Sequence, residues 1–417
     1  MKDSSRQLLI WIGALAAGAL LGLVRIPWIE GVYNFIATVY TRLFQFLAVP
    51  TIALAIMTTL ISFGRQKSAG RLFGRTLTYT LSTTFAASLL GLVLFLVVSP
   101  GNIPPESIPG GLPESVGGGT SLRDHMISAI PDNILTPFLS GNVLSVLIVA
   151  AAFGIGIAHM AESERKKTLV NFFSGLQEVF FSLIRALIKT LPLGIACFAA
   201  QLSAQIGQGV IMGSLGKWAL TVLLCNLLQV FVVLPLFLLA RGINPLRTFK
   251  AMSPALIMAF FTKSSAATLP VTVSSAEERM GADKKVSRFV LPICCTINMN
   301  GCASFILITS LFLMRNGGMD LSLPTMLLWV LISVVSAVGN AGVPMGCFFL
   351  TLSLMTGMGA PVAIMGLILP IYTIVDMVET AENVWSDSCV CAMTDKDLRG
   401  KLDECEENIV GNSKIDL

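Results

Sequence analysis

Long apolar segments recur along the whole sequence, and they limit what this chain can fold into. Stretches long enough to cross a hydrocarbon core of roughly 30 Å lie at about 8–25, 35–63, 77–99, 136–160, 168–202 and 214–241. Only 12% of residues are charged and 54% are hydrophobic, whereas a soluble domain carries about 25% charge. So little charge cannot cover a surface facing water, and the sequence reads as an all-α polytopic membrane protein. The net charge of +4 comes with no basic stripe and interleaved aromatics, which excludes a nucleic-acid partner. The run from Leu8 lacks a small-residue cleavage signal and leads into further spans, so it reads as a first helix.

Beyond Arg241 the pattern changes. Residues 245–277 form an apolar hairpin broken at Lys263-Ser264-Ser265, and 286–314 span again but break at Asn298-Met299-Asn300-Gly301. A second interrupted hairpin, 324–358, breaks at Gly339-Asn340-Ala341-Gly342-Val343-Pro344, and 360–394 form a last helix with acids in its middle. Basic residues cluster before span one (Lys2, Arg6) and after spans two, four and six (Arg65 to Arg75, Arg165 to Lys167, Arg241 to Lys250). With both termini cytoplasmic, every cluster falls inside, provided that 245–277 and 324–358 dip in and return on the same side. The expected fold is therefore eight transmembrane helices plus two re-entrant hairpins inserted from opposite faces.

Backbone that leaves helical geometry at bilayer depth survives only where protein or a water-filled cavity satisfies it. Paired interrupted segments in inverted orientation are the usual pointer to a transporter's binding site. Half-helix N-termini offer N–H groups to an anion such as an α-carboxylate, and unwound carbonyls suit sodium. On the last helix Asp376, Thr380, Asn383 and Asp387 share one face, with Glu379 and Glu382 beside it. Charge at this depth costs a few kcal/mol, so these residues are either functional or a buried structural network. The nine cysteines have no CxxC spacing, and eight lie in apolar runs, so they read as packing residues and not as a zinc or disulfide framework. Two histidines, His125 and His159, make a histidine metal site improbable, and no HExxH or GxSxG word supports an enzyme.

At these breaks the chain resembles the dicarboxylate/amino acid:cation symporter family, which has the glutamate-transporter fold. The words that carry the resemblance are Lys263-Ser-Ser-Ala-Ala-Thr-Leu-Pro270, Asn298-Met-Asn-Gly301, Ala341-Gly-Val-Pro344, and Asp376-Met377 with Thr380, Asn383 and Asp387. The resemblance implies an elevator mechanism in a homotrimer. Helices in 1–76 and 136–205 would be a static scaffold, with an external loop at 100–135. Helices in 77–99 and 206–244 with the core 245–394 would move, and 395–417 would be a cytoplasmic tail. It further implies a small amino acid or carboxylate as substrate. Asp376 would take the ammonium and Asn383 the α-carboxylate, with Ser264, Ser265, Cys302, Val343, Pro344, Glu379 and Thr380 around them. Sodium would be held at one site by Asn298, Asn383 and Asp387. A second site would use backbone from Thr296 to Met299 with Val338 and Asn340, and a third Tyr79, Ser82 and Thr83 with Asn298 and Asn300.

The departures carry the specificity. The family's NMDG aspartate is Asn300 here, which offers an oxygen without charge and puts the third sodium site in question. Glu379 stands where acidic-substrate members carry an arginine, and Cys302 where they carry a threonine. A carboxylate there would repel glutamate, aspartate or a C4-dicarboxylate. Glu379 has three readings: it meets a positive or hydrogen-bonding group of the substrate, such as a basic amino acid or the second ammonium of cystine; it carries a proton; or it pairs with Lys263. A receptor or anion channel on the same fold is the alternative function. Compact loops suit a prokaryotic inner membrane.

Overall fold

The computed structural model describes residues 2–24, 26–65, 70–104, 130–140, 143–206, 210–338 and 345–398, and every regular element among them is helical. The first elements are α1 (Lys2–Leu23), α2 (Pro27–Arg65), α3 (Gly70–Val98), the short α4 (Thr136–Ser140), α5 (Val143–His159) and α6 (Glu164–Ile206). Then α7 (Val210–Leu228) runs through a π-helical turn at Gln229–Val233 into α8 (Leu234–Ala240). Pro235 explains that turn: it has no N–H for the carbonyl four residues back, and its ring pushes the preceding turn wider. The same cause acts in α6. Its halves Glu164–Leu187 and Lys189–Gln201 meet at 53°, beside the Ile188 carbonyl that Pro192 cannot bond.

One group of helices packs together near the N-terminus: α1 along α6, and α2 against both α5 and α6. Gly18 and Gly22 face α6, and a Cβ on either would overlap the carbonyl of Ala196 or Ala200. Two glycines four apart thus set the close approach of the helices.

The second group begins at α9 (Pro245–Thr262) and α10 (Ser265–Ser275), which pack on each other. It continues with α11 (Lys284–Ile297), α12 (Asn300–Asn316), α13 (Leu323–Val338), α14 (Gly346–Gly357) and α15 (Ala363–Leu398). Helices α3 and α7 join it against α12 and α15, while α14 touches α2 and α15 touches α6. Every residue of α12 except Arg315 is buried, as expected of a helix apolar on all sides. Phe305 of α12 anchors an aromatic column, with ring centroids 6.1 Å from Trp218 of α7 and 4.7 Å from Tyr372 of α15. Phe348 of α14 closes it, 5.5 Å from Tyr372.

The outward faces are apolar: Leu81, Phe85, Leu89, Val93 and Leu96 on α3, and Leu327, Leu331 and Val335 on α13, are all exposed. Such stripes need lipid against them. Among the described residues four helices are long and apolar enough to cross a membrane, and five if bent α6 counts as one span. By contrast α13 with 16 residues and α14 with 12 reach only about 24 Å and 18 Å at 1.5 Å per residue. Neither crosses a core of roughly 30 Å alone.

Candidate functional site

Two of the sequence-predicted breaks, at Lys263-Ser264-Ser265 and Asn298-Met299-Asn300-Gly301, are departures from helical backbone, and the third, Gly339–Pro344, lies outside the described residues. Lys263 adopts a left-handed conformation with φ of 52° at the end of α9, and Ser264 caps α10 by accepting from Ala267 N at 3.2 Å. Asn298 and Met299, with ψ of 72° and 68°, separate α11 from α12. Met345, with φ of 54°, enters α14. Asn340, Val343 and Pro344 lie outside the described residues.

Lys263 and Asn298 are bonded to the acidic face of α15, and Met345 enters α14, which meets it. Its carboxylates Asp376, Glu379, Glu382 and Asp387 are all buried. The Lys263 ammonium stands 3.8 Å from Asp376 Oδ2, and the Tyr372 hydroxyl donates to Asp376 Oδ1 at 3.4 Å. Lys263 thus reaches Asp376, whereas the third reading of Glu379 expected the bridge there. Glu379 Oε1 instead accepts from the Cys347 thiol at 2.7 Å, and its Oε2 accepts no hydrogen bond among the described residues. Thr380 turns its hydroxyl back to the Asp376 carbonyl at 2.7 Å.

One helical turn further on, Asn383 is held from both sides. It accepts from Gly301 N at 2.9 Å and donates to the Cys302 sulfur at 3.4 Å. Gly301 is required at that point, because a Cβ there would lie 2.7 Å from Glu379 Cγ and 3.1 Å from Glu382 Oε2. Asn298 donates to Asp387 Oδ1 and to Ser386 Oγ, each at 2.9 Å, and Asn300 donates to Ser386 at 2.8 Å. On the other side Thr83 donates to Asn298 Oδ1 at 3.2 Å, and Thr84 donates to Asn300 Oδ1 at 2.8 Å. Thr83, Thr84, Asn298, Asn300, Ser386 and Asp387 therefore form one buried oxygen-rich cluster linking α3, the α11–α12 break and α15, with Asn383 one turn away on Gly301.

Such hard oxygen donors with a carboxylate suit sodium in kind. Not all expected ligands turn toward this cluster. The Tyr79 hydroxyl donates to Asp397 at 2.6 Å and Ser82 to the Thr78 carbonyl at 2.7 Å, so their side-chain oxygens are engaged elsewhere. The Thr296 hydroxyl donates to Ile293 O at 2.7 Å. Ser264, Ser265, Thr296 and Val338 are half-buried.

Sequence reasoning missed Thr84, Ser386 and Cys347, and did not place Glu382 in the site. Both oxygens of Glu382 are buried and accept no hydrogen bond among the described residues. Buried carboxylates at this density are stable only when cations or protons share the site. Cys302, Cys347 and Glu379 bring their ligand atoms within 4.8 Å of one another.

An all-helical membrane protein with broken helices around an acidic final helix belongs to the class of secondary transporters. The chain belongs to the sodium:dicarboxylate symporter family, whose model it matches over residues 8–397. It is similar to excitatory amino acid transporter 2 of Rattus norvegicus, at 28% identity over 435 residues covering 90% of this chain and 75% of that protein. It is 30% identical to the C4-dicarboxylate transport protein of Rhodospirillum rubrum over 364 residues, 85% of this chain and 80% of that one. Excitatory amino acid transporter 3 of Mus musculus matches at 26% over 96% of this chain and 87% of its own length. The chain is thus an integral membrane protein of a family of cation-coupled symporters, and not an enzyme.

Proposed function

We propose that this chain is a sodium-coupled symporter for an amino acid or related small carboxylate whose side group is neutral or cationic. The observation that carries this reading is Glu379, 2% exposed between α12, α14 and α15, with one carboxylate oxygen on Cys347 and the other accepting no hydrogen bond among the described residues. An anionic substrate side chain placed there meets like charge at low dielectric, which costs several kcal/mol. A basic or hydrogen-bonding group would occupy the free oxygen instead. Because Lys263 faces Asp376, the structural bridge is the weakest of the three readings of Glu379.

In this reading Asp376 receives the substrate ammonium, displacing the loose contact with Lys263, and Asn383 with the N–H groups at the start of α10 receives its α-carboxylate. Asp387, with Asn298 and Asn383, would hold one sodium ion. Thr83, Asn298 and Asn300 would frame a further oxygen cage with no carboxylate of its own and no group that holds a proton, so Glu379 is the group that would carry a coupled proton. The half-length helices α13 and α14 support a re-entrant hairpin, and the eight-span elevator, the scaffold of α1, α2, α5 and α6, and the homotrimer come with the family reading.

The test is uptake into liposomes containing purified protein, with an inward sodium gradient and a panel of acidic, neutral and basic amino acids. Accumulation of a neutral or basic member, abolished without sodium, is expected. Concentration of aspartate from micromolar levels overturns the specificity assignment, and no accumulation of any solute favours a receptor. Currents without accumulation favour a channel.

A further inference from the structure

The geometry points to a binding site for a thiophilic divalent cation, zinc in chemical class, built from Cys302, Cys347 and Glu379. Nothing in sodium-coupled transport requires two thiols and a carboxylate at one point. The three come from different elements, α12, α14 and α15, and all are buried. Their ligand atoms lie within 4.8 Å of one another, and the Cys347 sulfur is already 2.7 Å from Glu379 Oε1. Tetrahedral zinc, with bonds of about 2.0–2.3 Å, sets its ligands about 3.3–3.8 Å apart. Small side-chain shifts would therefore close this triangle.

The chemistry of the donors selects the ion. Soft thiolates favour zinc or cadmium over sodium, magnesium or calcium, which prefer oxygen. On binding, each thiol releases its proton to solvent as its sulfur bonds the metal, so two thiolates balance the dication and the Glu379 carboxylate adds the third bond. The fourth position stays open to water or to a donor on a solute. Two further features fit. The Asn383 amide donates to the Cys302 sulfur at 3.4 Å, the outer contact that orients a thiolate ligand. Glu379 Oε2 is a buried acceptor with no hydrogen-bond donor among the described residues, free to turn toward a cation. A metal bound here would tie α14 to α12 and α15 and occupy the space assigned to the substrate side group.

The experiment uses the reduced, purified full-length protein in detergent micelles, so it needs no transport and is independent of the substrate reading. Cadmium is titrated while thiolate-to-metal charge-transfer absorption is followed, and bound zinc is counted after gel filtration. Wild type is expected to take one equivalent with a two-thiolate signal. Cys302→Ser and Cys347→Ser should each halve that signal, and Glu379→Gln should weaken binding at least tenfold. Cys389→Ser with Cys391→Ser should leave it unchanged. Either serine variant keeping the full signal, or an unaltered affinity in Glu379→Gln, overturns the site, as does wild type that takes up no cadmium. The two single cysteine variants read the same question separately, so one that fails to fold leaves the other decisive.

Discussion

The side-chain amide of Asn298 donates to Asp387 Oδ1 at 2.9 Å, tying the break between α11 and α12 to a carboxylate on α15. This bond joins the two features that make the site, an interrupted backbone and a charge buried beside it. Thr83 on the far side of Asn298 extends the link to α3, so a cation held here would report on three helices at once.

Asp387→Asn keeps the shape of that junction and removes its charge. A ligand that binds only the folded state stabilises it by about 2.7 kcal/mol at a concentration of one hundred times its Kd. The wild-type Tm should therefore rise with sodium chloride relative to choline chloride, and the variant should lose at least half of that rise. Equal rises in both proteins would remove Asp387 from the proposed sodium site.

Glu379→Gln preserves size and one hydrogen bond to Cys347 while discarding the negative charge. Substrates with a basic side group should lose at least tenfold in kcat/KM, about 1.4 kcal/mol or more, with neutral substrates changed far less. A uniform loss across the panel, parallel to a fall in yield, would make the residue structural.

Gly18 and Gly22 fix the approach of α1 to α6. Gly22→Ala should cost about 1–3 kcal/mol through overpacking, because its methyl group would meet the Ala200 carbonyl. Gly13→Ala, with nothing within 4 Å of the added carbon, should be neutral or stabilising by up to about 1 kcal/mol. Thermal unfolding of the two variants side by side measures the difference.

Phe305 is fully buried in the aromatic column. Phe305→Ala should cost about 3–5 kcal/mol and be visible as a lowered Tm, with the oxygen cluster around Asn298 left in place and sodium-dependent stabilisation retained.

The backbone of this site was legible in the sequence because its causes are local. Polar, glycine and asparagine words interrupt long apolar runs, and the structure departs from helix at two of them, Lys263 and Asn298. The acidic face of α15 was legible for the same reason, since charge has no place in an apolar helix unless something uses it. Rotation about a helix axis was harder to read. Ser82 and Thr83 are neighbours in sequence yet sit about 100° apart around α3, so when Thr83 faces Asn298 its neighbour turns aside. Contacts between distant segments came only with the family resemblance, which grouped Thr83 and Asp387 with Asn298; the residues alone did not show them. No spacing rule joins Lys263 to Asp376, or Cys302 and Cys347 to Glu379; only the packing of α9, α12 and α14 on α15 brings them together. Ser386 was hidden by its ordinariness, because a serine beside an aspartate gives no hint that it bonds both asparagines of the break.

In the proposed function, the buried carboxylate of Glu379 makes the pocket reject acidic substrates. Calorimetric titration of the purified protein with L-aspartate in saturating sodium measures it directly, beside a basic amino acid as comparison. No aspartate binding tighter than millimolar is expected, with at least tenfold tighter binding of the basic compound. Micromolar, sodium-dependent aspartate binding would contradict it.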